Sequence, residues 1–304
     1  MQYAFFEGKI VPFDQAKVSI MTHSFNYGTG VFEGIRAYWN EKQNTIFILK
    51  MKEHYERLLR SAKILRMDIK QSIMELCDIT VELVKKHSYK EDIYIRPIVY
   101  KSDLFIGVKL NDLKNDLCIY CAPFGAYVDI EKGVKVKVSS WRRVDDSCMP
   151  ARGKIIGIYV NSAFSKTEAL MHGYDEAIVL NNDGHISEGS AENIFFVRDN
   201  KLITPPVNAN ILEGITRTAI IDLAKKELGI EVIERQVDRS ELYVSDEIFF
   251  TGTGAQISPI IEVEGIKVGD GKPGKITKDL QKIYFKAVKG EDKKYADWLT
   301  PVKK

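Results

Sequence analysis

Between Glu188 and Arg217 the chain strings together groups that suit a phosphorylated ring. It reads Glu188-Gly189-Ser190-Ala191-Glu192-Asn193-Ile194-Phe195, then Leu202-Ile203-Thr204-Pro205-Pro206, then Leu212-Glu213-Gly214-Ile215-Thr216-Arg217. The first run reads as a buried strand that carries two carboxylates and an amide. After a short hairpin, a glycine leads into a helix through a hydroxyl and an arginine. A carboxylate close to a helix N-terminus meets the needs of a phosphorylated heterocycle with a basic ring nitrogen. The carboxylate holds the protonated nitrogen, and the helix amides hold the phosphate. Glu188 and Glu192 compete for the nitrogen on this reading.

Lys154 stands in Pro150-Ala151-Arg152-Gly153-Lys154-Ile155-Ile156-Gly157-Ile158-Tyr159, a lone lysine among small and apolar residues. Burial lowers a lysine's pKa and makes its amine nucleophilic. The alternative is a surface lysine that keeps its ammonium in water. Arg57, in Glu56-Arg57-Leu58, lies on a helix beside its apolar stripe, either exposed or turned to an anion. Two further loops carry small and hydroxyl residues, Phe250-Thr251-Gly252-Thr253-Gly254-Ala255 and Tyr27-Gly28-Thr29-Gly30-Val31-Phe32-Glu33-Gly34.

The elements that position these groups show in the periodicity. Strands are expected at Tyr3–Phe6, Ile10–Pro12, Val31–Trp39, Thr45–Leu49, 92–100 and 116–123. Helices are expected over 51–66 and 72–87; in the first, Met51, Tyr55, Leu58, Ala62 and Leu65 form one stripe. The Pro123-Phe124-Gly125 break reads as an interdomain crossing. Beyond it come strands at 134–140, 177–180, 193–197, 231–236 and 247–251, helices at 161–172, 215–228 and 275–288, and a hairpin around 260–268. Gly173 reads as a helix-terminating glycine. Strands and helices mix without regular β-α-β alternation, which points to an α+β protein in two domains. There is no internal repeat.

At 304 residues, the chain is long enough for one large or two medium cores. Hydrophobic content of 45% with 28% charged residues describes a soluble globular protein. A net charge of +2 argues against a nucleic-acid footprint. No run approaches a membrane span, and the first residues lack the basic region of a signal peptide. Cys118 and Cys121 match C-x-x-C, but residues three apart on a strand face opposite sides, so the pair reads as core cysteines in a reducing cytoplasm. The five histidines show no metal spacing, and no metal is expected. The run 269–275 nearly matches a P-loop, but Ile276 replaces the magnesium-binding hydroxyl and Pro273 removes an amide, so it reads as a surface turn. Gly28 to Gly34 precedes a strand, where a dinucleotide loop would open a helix.

As a set, the Glu188–Arg217 spacing resembles the signature of the class IV, fold-type IV aminotransferases. Tyr27 to Tyr38, Tyr94-Ile95-Arg96-Pro97, Gly125-Ala126-Tyr127, His172-Gly173-Tyr174 and Gly252-Thr253-Gly254-Ala255 resemble the branched-chain amino acid aminotransferases more closely. The resemblance covers nearly the whole chain. It implies a two-domain α+β fold like that of D-amino acid aminotransferase. A smaller N-terminal α/β domain would span 1–123, an interdomain loop 124–131, and a larger barrel-like C-terminal domain, holding pyridoxal 5'-phosphate, 132–304.

It also implies a reaction. The amino group of L-leucine, L-isoleucine or L-valine would pass to 2-oxoglutarate by ping-pong chemistry, through a Schiff base on Lys154, which would also move the proton. Tyr159 would contact the ring hydroxyl. Glu188, the first glutamate of the motif, would hold the ring nitrogen, leaving Glu192 structural. Arg57, Ile215, Thr216 and Thr253 would bind the phosphate. Phe32, Gly34, Phe124, Tyr127 and Tyr159 would wall an apolar side-chain pocket, unless these aromatics simply fill the core. Tyr94, with the backbone of Gly254 and Ala255, would hold the α-carboxylate, and Arg96 the distal carboxylate of glutamate. Tyr27 and Val108 would come from a neighbouring subunit, making a dimer or hexamer with shared active sites. Phe124 stands where a tryptophan is common, and Ile158, Gly254 and Gln256 also depart from the bacterial pattern. Rival readings are an (R)-amine or D-amino acid transaminase and an aminodeoxychorismate-type lyase. The first tends to pair an arginine with a histidine on the strand of Tyr94, which carries none here. The second lacks the Tyr-x-Arg and Gly-Ala-Tyr elements.

Overall fold

The computed structural model describes residues 2–125 and 130–304; the expected pocket residue Tyr127 lies outside them. The chain divides into two compact units. One takes in the residues up to Gly125 together with Gly153–Gly157 and Lys286–Lys304; the other holds the chain up to Arg152 and Ile158–Phe285.

The first unit begins with β1 (Tyr3–Phe6), β2 (Lys9–Pro12), the short α1 (His23–Tyr27), β3 (Gly30–Phe32), β4 (Ile35–Asn40) and β5 (Thr45–Leu49). Helices α2 (Met51–Ile64) and α3 (Ile73–Lys86) follow, then β6 (Ile93–Lys101) and β7 (Asn115–Pro123). Helix α2 buries Met51, Tyr55, Leu58 and Ala62, the stripe that the spacing predicts. Helix α3 starts at a capping box: the Ser72 hydroxyl accepts the Glu75 N–H while the Glu75 carboxylate accepts the Ser72 N–H.

The second unit contains β8 (Val134–Arg142), α4 (Tyr159–Met171), β9 (Glu176–Leu180), β10 (Ile186–Gly189), β11 (Asn193–Arg198) and β12 (Lys201–Thr204). Next are α5 (Ile215–Glu227), β13 (Val232–Glu234), β14 (Glu247–Gly252), β15 (Gln256–Val263), β16 (Ile266–Lys267) and α6 (Lys275–Val288). Among the described residues its strands form one sheet ordered β10-β9-β8-β15-β14-β11-β12-β13, with β16 on β15. Val136, Ile178, Ile194, Phe196, Ile248 and Phe250 meet in its core.

The last strand, β17 (Leu299–Lys303), lies in the first unit, where the sheet order is β17-β5-β4-β6-β7-β1-β2 with β3 on β6. This corrects the expectation that 132–304 forms one domain. Residues 299–303 complete the edge of the first sheet by pairing Leu299 with Leu49 and Val302 with Ile46. Gly153–Gly157 joins the same unit because Ile155 bridges Val31 and the Lys154 carbonyl accepts the Phe32 N–H at 3.1 Å.

Two other expectations change. Val31–Trp39 is not one strand but β3 and β4, broken at Glu33-Gly34. The register against β6 is kept across the break, from Phe32 opposite Ile98 to Ile35 opposite Ile95. Opposite Glu33 stands Pro97, which accepts the Glu33 N–H at 2.9 Å but has none to return, so the ladder is interrupted there. The two carboxylates and the amide do not share a strand either. Glu188 sits on β10 and Asn193 opens β11, while Glu192 falls in the tight turn closed by Gly189 N–H to Glu192 C=O at 2.7 Å.

The near P-loop is the lead-in to α6. The Glu247 carboxylate accepts the N–H groups of Ile276 and Thr277 at 2.9 and 2.8 Å, so a side chain already occupies that helix start. Cys118 and Cys121 alternate across β7, the second facing the core, and burial pushes both thiols up to about 12. Among the described residues, no helix is long and apolar enough to cross a membrane.

Candidate active site

In the first unit the segment carrying Lys154 is pinned by its backbone. Its N–H donates to the Ser61 hydroxyl on α2 at 3.1 Å, and its carbonyl accepts from Phe32. The Lys154 Nζ lies 5.0 Å from the centre of the Phe32 ring, within cation–π range, and the side chain is half-buried.

Around Phe32 the expected substrate residues gather. The Arg96 guanidinium lies 4.2 Å from the Phe32 ring centre and 5.0 Å from that of Tyr94, and its Nη2 donates to the Tyr94 hydroxyl at 3.0 Å. Phe124 tilts against Tyr94 with ring centres 5.0 Å apart. Gly34 faces the same tyrosine: a Cβ there would stand 2.0 Å from the Tyr94 hydroxyl, so a side chain could not enter without displacing it. Phe32, Gly34, Tyr94, Arg96 and Phe124 thus form one aromatic patch carrying a guanidinium. Arg36, which sequence reasoning did not single out, donates to the Phe124 and Gly125 carbonyls at 3.1 and 3.0 Å and fixes the patch's rim.

Tyr27 and Val108 stand together elsewhere on this unit. The Tyr27 hydroxyl accepts the Gly107 N–H at 3.1 Å, and Val108 is 90% exposed. His23 ties the two stretches, with Nδ1 2.7 Å from the Thr29 hydroxyl and Nε2 2.9 Å from the Gly107 carbonyl. Arg57 is buried on α2 against Glu33, its Nε and Nη2 donating to the two carboxylate oxygens at 2.6 and 2.9 Å.

In the second unit Glu188 is buried and held from three sides. Arg143 Nη2 lies 2.9 Å from one carboxylate oxygen; the other accepts the Asn193 amide and the Leu212 N–H, each at 3.1 Å. Asn193 also donates to the Leu212 carbonyl at 2.9 Å, so the carboxylate and the approach to α5 are locked together. Gly214, two residues on, precedes the helix and as a glycine brings no side chain of its own to cap the first amides, and a Cβ there would fall 2.0 Å from the Asn193 side-chain amide oxygen Oδ1. Only glycine lets the helix start so close to Asn193. Ile215 and the buried Thr216 form the first turn. Tyr159 opens α4, and Thr253, Gly254 and Ala255 form the turn between β14 and β15.

Glu192 has another environment. Its carboxylate accepts the Ala191 N–H at 3.0 Å and lies against Gly189, with its Cγ beside Gly252. Burial, then the charge of the buried Glu176, push its carboxyl up to about 8, even though Lys166 neutralises Glu176 at 2.7 Å.

The sequence pattern of amino-transferase class IV matches residues 30–263. The chain belongs to that class. A probable branched-chain-amino-acid aminotransferase of Aquifex aeolicus is 56% identical over 302 residues, covering 99% of this chain and 97% of the relative. A structure of the branched-chain aminotransferase of Thermoproteus uzoniensis with norvaline aligns with a TM-score of 0.94 at 46% identity, over 99% of both chains. That of the branched-chain amino acid aminotransferase of Thermobaculum terrenum in its PLP-bound holo-form aligns with a TM-score of 0.94 at 38% identity, over 99% of this chain and 98% of the other.

In this class IV aminotransferase, the partners of the expected residues are what sequence reasoning did not anticipate. Arg143, Glu33 and His54 are buried ionisable side chains that read locally as ordinary surface charges. The available signal was their placement: Glu33 between two apolar strand halves, His54 one turn before Arg57.

Proposed function

We propose that the protein is a pyridoxal 5'-phosphate-dependent branched-chain amino acid aminotransferase, moving the amino group of L-leucine, L-isoleucine or L-valine to 2-oxoglutarate. The carrying observation is the lock in the second unit. A buried carboxylate with its own arginine is bonded through Asn193 to the approach of a helix that starts at a glycine. That donor set fits a cationic ring nitrogen and a phosphate dianion, the two ends of the cofactor. It also favours Glu188 over Glu192 as the nitrogen's partner. A carboxyl raised to about 8 is largely neutral near pH 7 and offers no anion, whereas Glu188 has the Arg143 guanidinium and two N–H donors to favour its carboxylate form.

When bound, the cofactor supplies the electron sink that stabilises the carbanion at the substrate's Cα. Lys154 would hold the cofactor through its amine, and the same amine would carry the proton at the substrate's Cα. Its backbone bonds to Ser61 and Phe32 restrict where that amine can swing. Tyr159 contacts the ring hydroxyl. Arg57, Ile215, Thr216 and Thr253 bind the phosphate. The aromatic patch of Phe32, Tyr94 and Phe124 receives the branched side chain, with Gly34 leaving the room and Tyr127 as a further wall. Tyr94 and the Gly254–Ala255 backbone hold the α-carboxylate, and Arg96 accepts the distal acid of glutamate.

Tyr27 and Val108 belong to an apolar surface with Ile20, Phe25 and Ile106, each at least 37% exposed. An apolar surface of that kind is covered in a homo-oligomer, where these residues complete a neighbour's site. The free cysteines Cys77, Cys118, Cys121 and Cys148 suit a reducing cytoplasm.

The test is a spectrum followed by a donor panel. The purified protein should absorb as a lysine-bound cofactor, and borohydride should fix that cofactor covalently. Lys154→Ala should lose both the covalent adduct and transamination. Near-wild-type turnover in Lys154→Ala would sink the assignment. A panel in which D-alanine or (R)-amines outrun L-leucine would replace branched-chain specificity with a same-fold alternative.

A further inference from the structure

Glu33 is fully buried at the bend between β3 and β4 and bridges two residues of α2. One carboxylate oxygen takes Arg57 Nε at 2.6 Å; the other takes Arg57 Nη2 at 2.9 Å and lies 2.7 Å from His54 Nδ1. The Gly34 N–H donates to that second oxygen at 3.3 Å. Burial works against the charge on Glu33, but Arg57 and His54 outweigh it and hold the carboxyl well below the usual range. His54 is pushed down, by burial first and against the pull of Glu33, so a neutral imidazole donates Nδ1–H to the carboxylate.

Three features separate this cluster from an ordinary buried ion pair. The whole Nε–Nη2 edge of the guanidinium is engaged by a single carboxylate, so the plane of Arg57 and the directions of its other N–H groups are set. The carboxylate is itself held from its far side by His54 and Gly34. Glu33 is also the residue after Phe32, whose N–H bonds the Lys154 carbonyl at 3.1 Å. One dipeptide therefore holds the lysine segment by its backbone and the arginine by its side chain. A buried ion pair is a weak source of net stability, because desolvation offsets most of the attraction. Orientation is what this arrangement supplies.

We propose that Glu33 is a positioning residue for phosphate binding: with His54 behind it, it aims Arg57 at the cofactor's phosphate in register with Lys154. The inference rests on the reading of Arg57 as a phosphate ligand.

The test compares two ligands that differ only in the phosphate. Full-length protein freed of cofactor is titrated with pyridoxal 5'-phosphate and with pyridoxal, followed by absorbance. The ratio of the two affinities isolates the phosphate's contribution. Glu33→Gln should lower that ratio by about tenfold or more, the loss expected when a charge-assisted bidentate contact is misaligned, while the affinity for pyridoxal changes little. If Glu33→Gln does not fold, Glu33→Asp keeps the charge but withdraws it by one methylene, and it carries the same expectation. Arg57→Met is the reference. A lowered ratio in Arg57→Met with a wild-type ratio in the Glu33 variant overturns the positioning role and leaves Arg57 as the phosphate ligand. An unchanged ratio in Arg57→Met overturns both. A ratio that rises in Glu33→Gln also overturns it, because Glu33 would then restrain the charge of Arg57 rather than aim it.

Discussion

Replacing Glu192 with glutamine should stabilise the protein, and increasingly so as pH rises. The cause is a buried carboxyl whose neighbours favour its neutral form. Its contacts are the Ala191 N–H and the faces of Gly189 and Gly252; the charges acting on it are Glu176, Lys166 and Glu188. In the unfolded chain the group titrates near 4.5, and in the native state at about 8. Below the lower value both states hold the proton and the group contributes nothing. Between the two, only the native state binds it, so stability falls as pH rises, by about 1.4 kcal/mol per unit. Above the upper value the loss levels off. Over the whole window it amounts to roughly 3–5 kcal/mol, the range allowing for relaxation around a buried charge. Glutamine has the same shape, keeps an acceptor for Ala191 and has no proton to lose. Urea midpoints of the cofactor-free wild type and Glu192→Gln, at one protein concentration, should nearly coincide at about pH 4 and separate steadily to about pH 8. A difference that does not vary with pH would refute the reasoning, as would a glutamine variant that is less stable throughout.

Arg143→Met should leave the buried Glu188 without its counter-charge, at a cost of about 3–5 kcal/mol, towards the lower figure because the Asn193 and Leu212 donors remain. Urea unfolding that moves by less than about 1 kcal/mol would show that Glu188 does not depend on the pair. Arg96→Met should raise the KM for 2-oxoglutarate by an amount equivalent to about 2–5 kcal/mol, while turnover of leucine with an uncharged 2-oxoacid changes far less. Equal losses with charged and uncharged acceptors, alongside a lower melting temperature, would instead make Arg96 a pin for β6. Sedimentation should find at least a dimer, and a fully active monomer would remove the role of Tyr27 and Val108 across an interface.

What could be read from the sequence, and what could not, divides by the range of the interactions that decide it. Helix α2 follows from its own stripe, because that signal lies within one element; the Ser72–Glu75 cap that the structure shows at the start of α3 is equally local. The break between β3 and β4 does not, since its cause is Pro97 on the facing strand. Nor does β17: Thr300-Pro301-Val302-Lys303 has little strand character until β5 offers it an edge. β10 is four residues long and carries a serine and a glutamate among its inward positions, so neither length nor alternation marks it.

The same division runs through the site. Glu188, Asn193 and Gly214 could be tied together by spacing because one short stretch of chain carries all three. Arg143 could not be told from Arg142 beside it. The register of β8 against β9 shifts between Val138 and Arg142, and after that irregularity Arg143 turns inward to Glu188 while Arg142 stays exposed. A bulge that re-aims a side chain beside a functional group is set by the pairing of two strands, and neither strand's sequence announces it. Glu33 is the stronger instance. Its glycine neighbour and its place in an apolar run suggest a strand; only the approach of α2 turns it into the acceptor for Arg57 and His54. The expected site residues stand out by their own types and spacing or by resemblance, while the buried partners that hold them, Arg143 and Glu33, become visible only once the elements have packed.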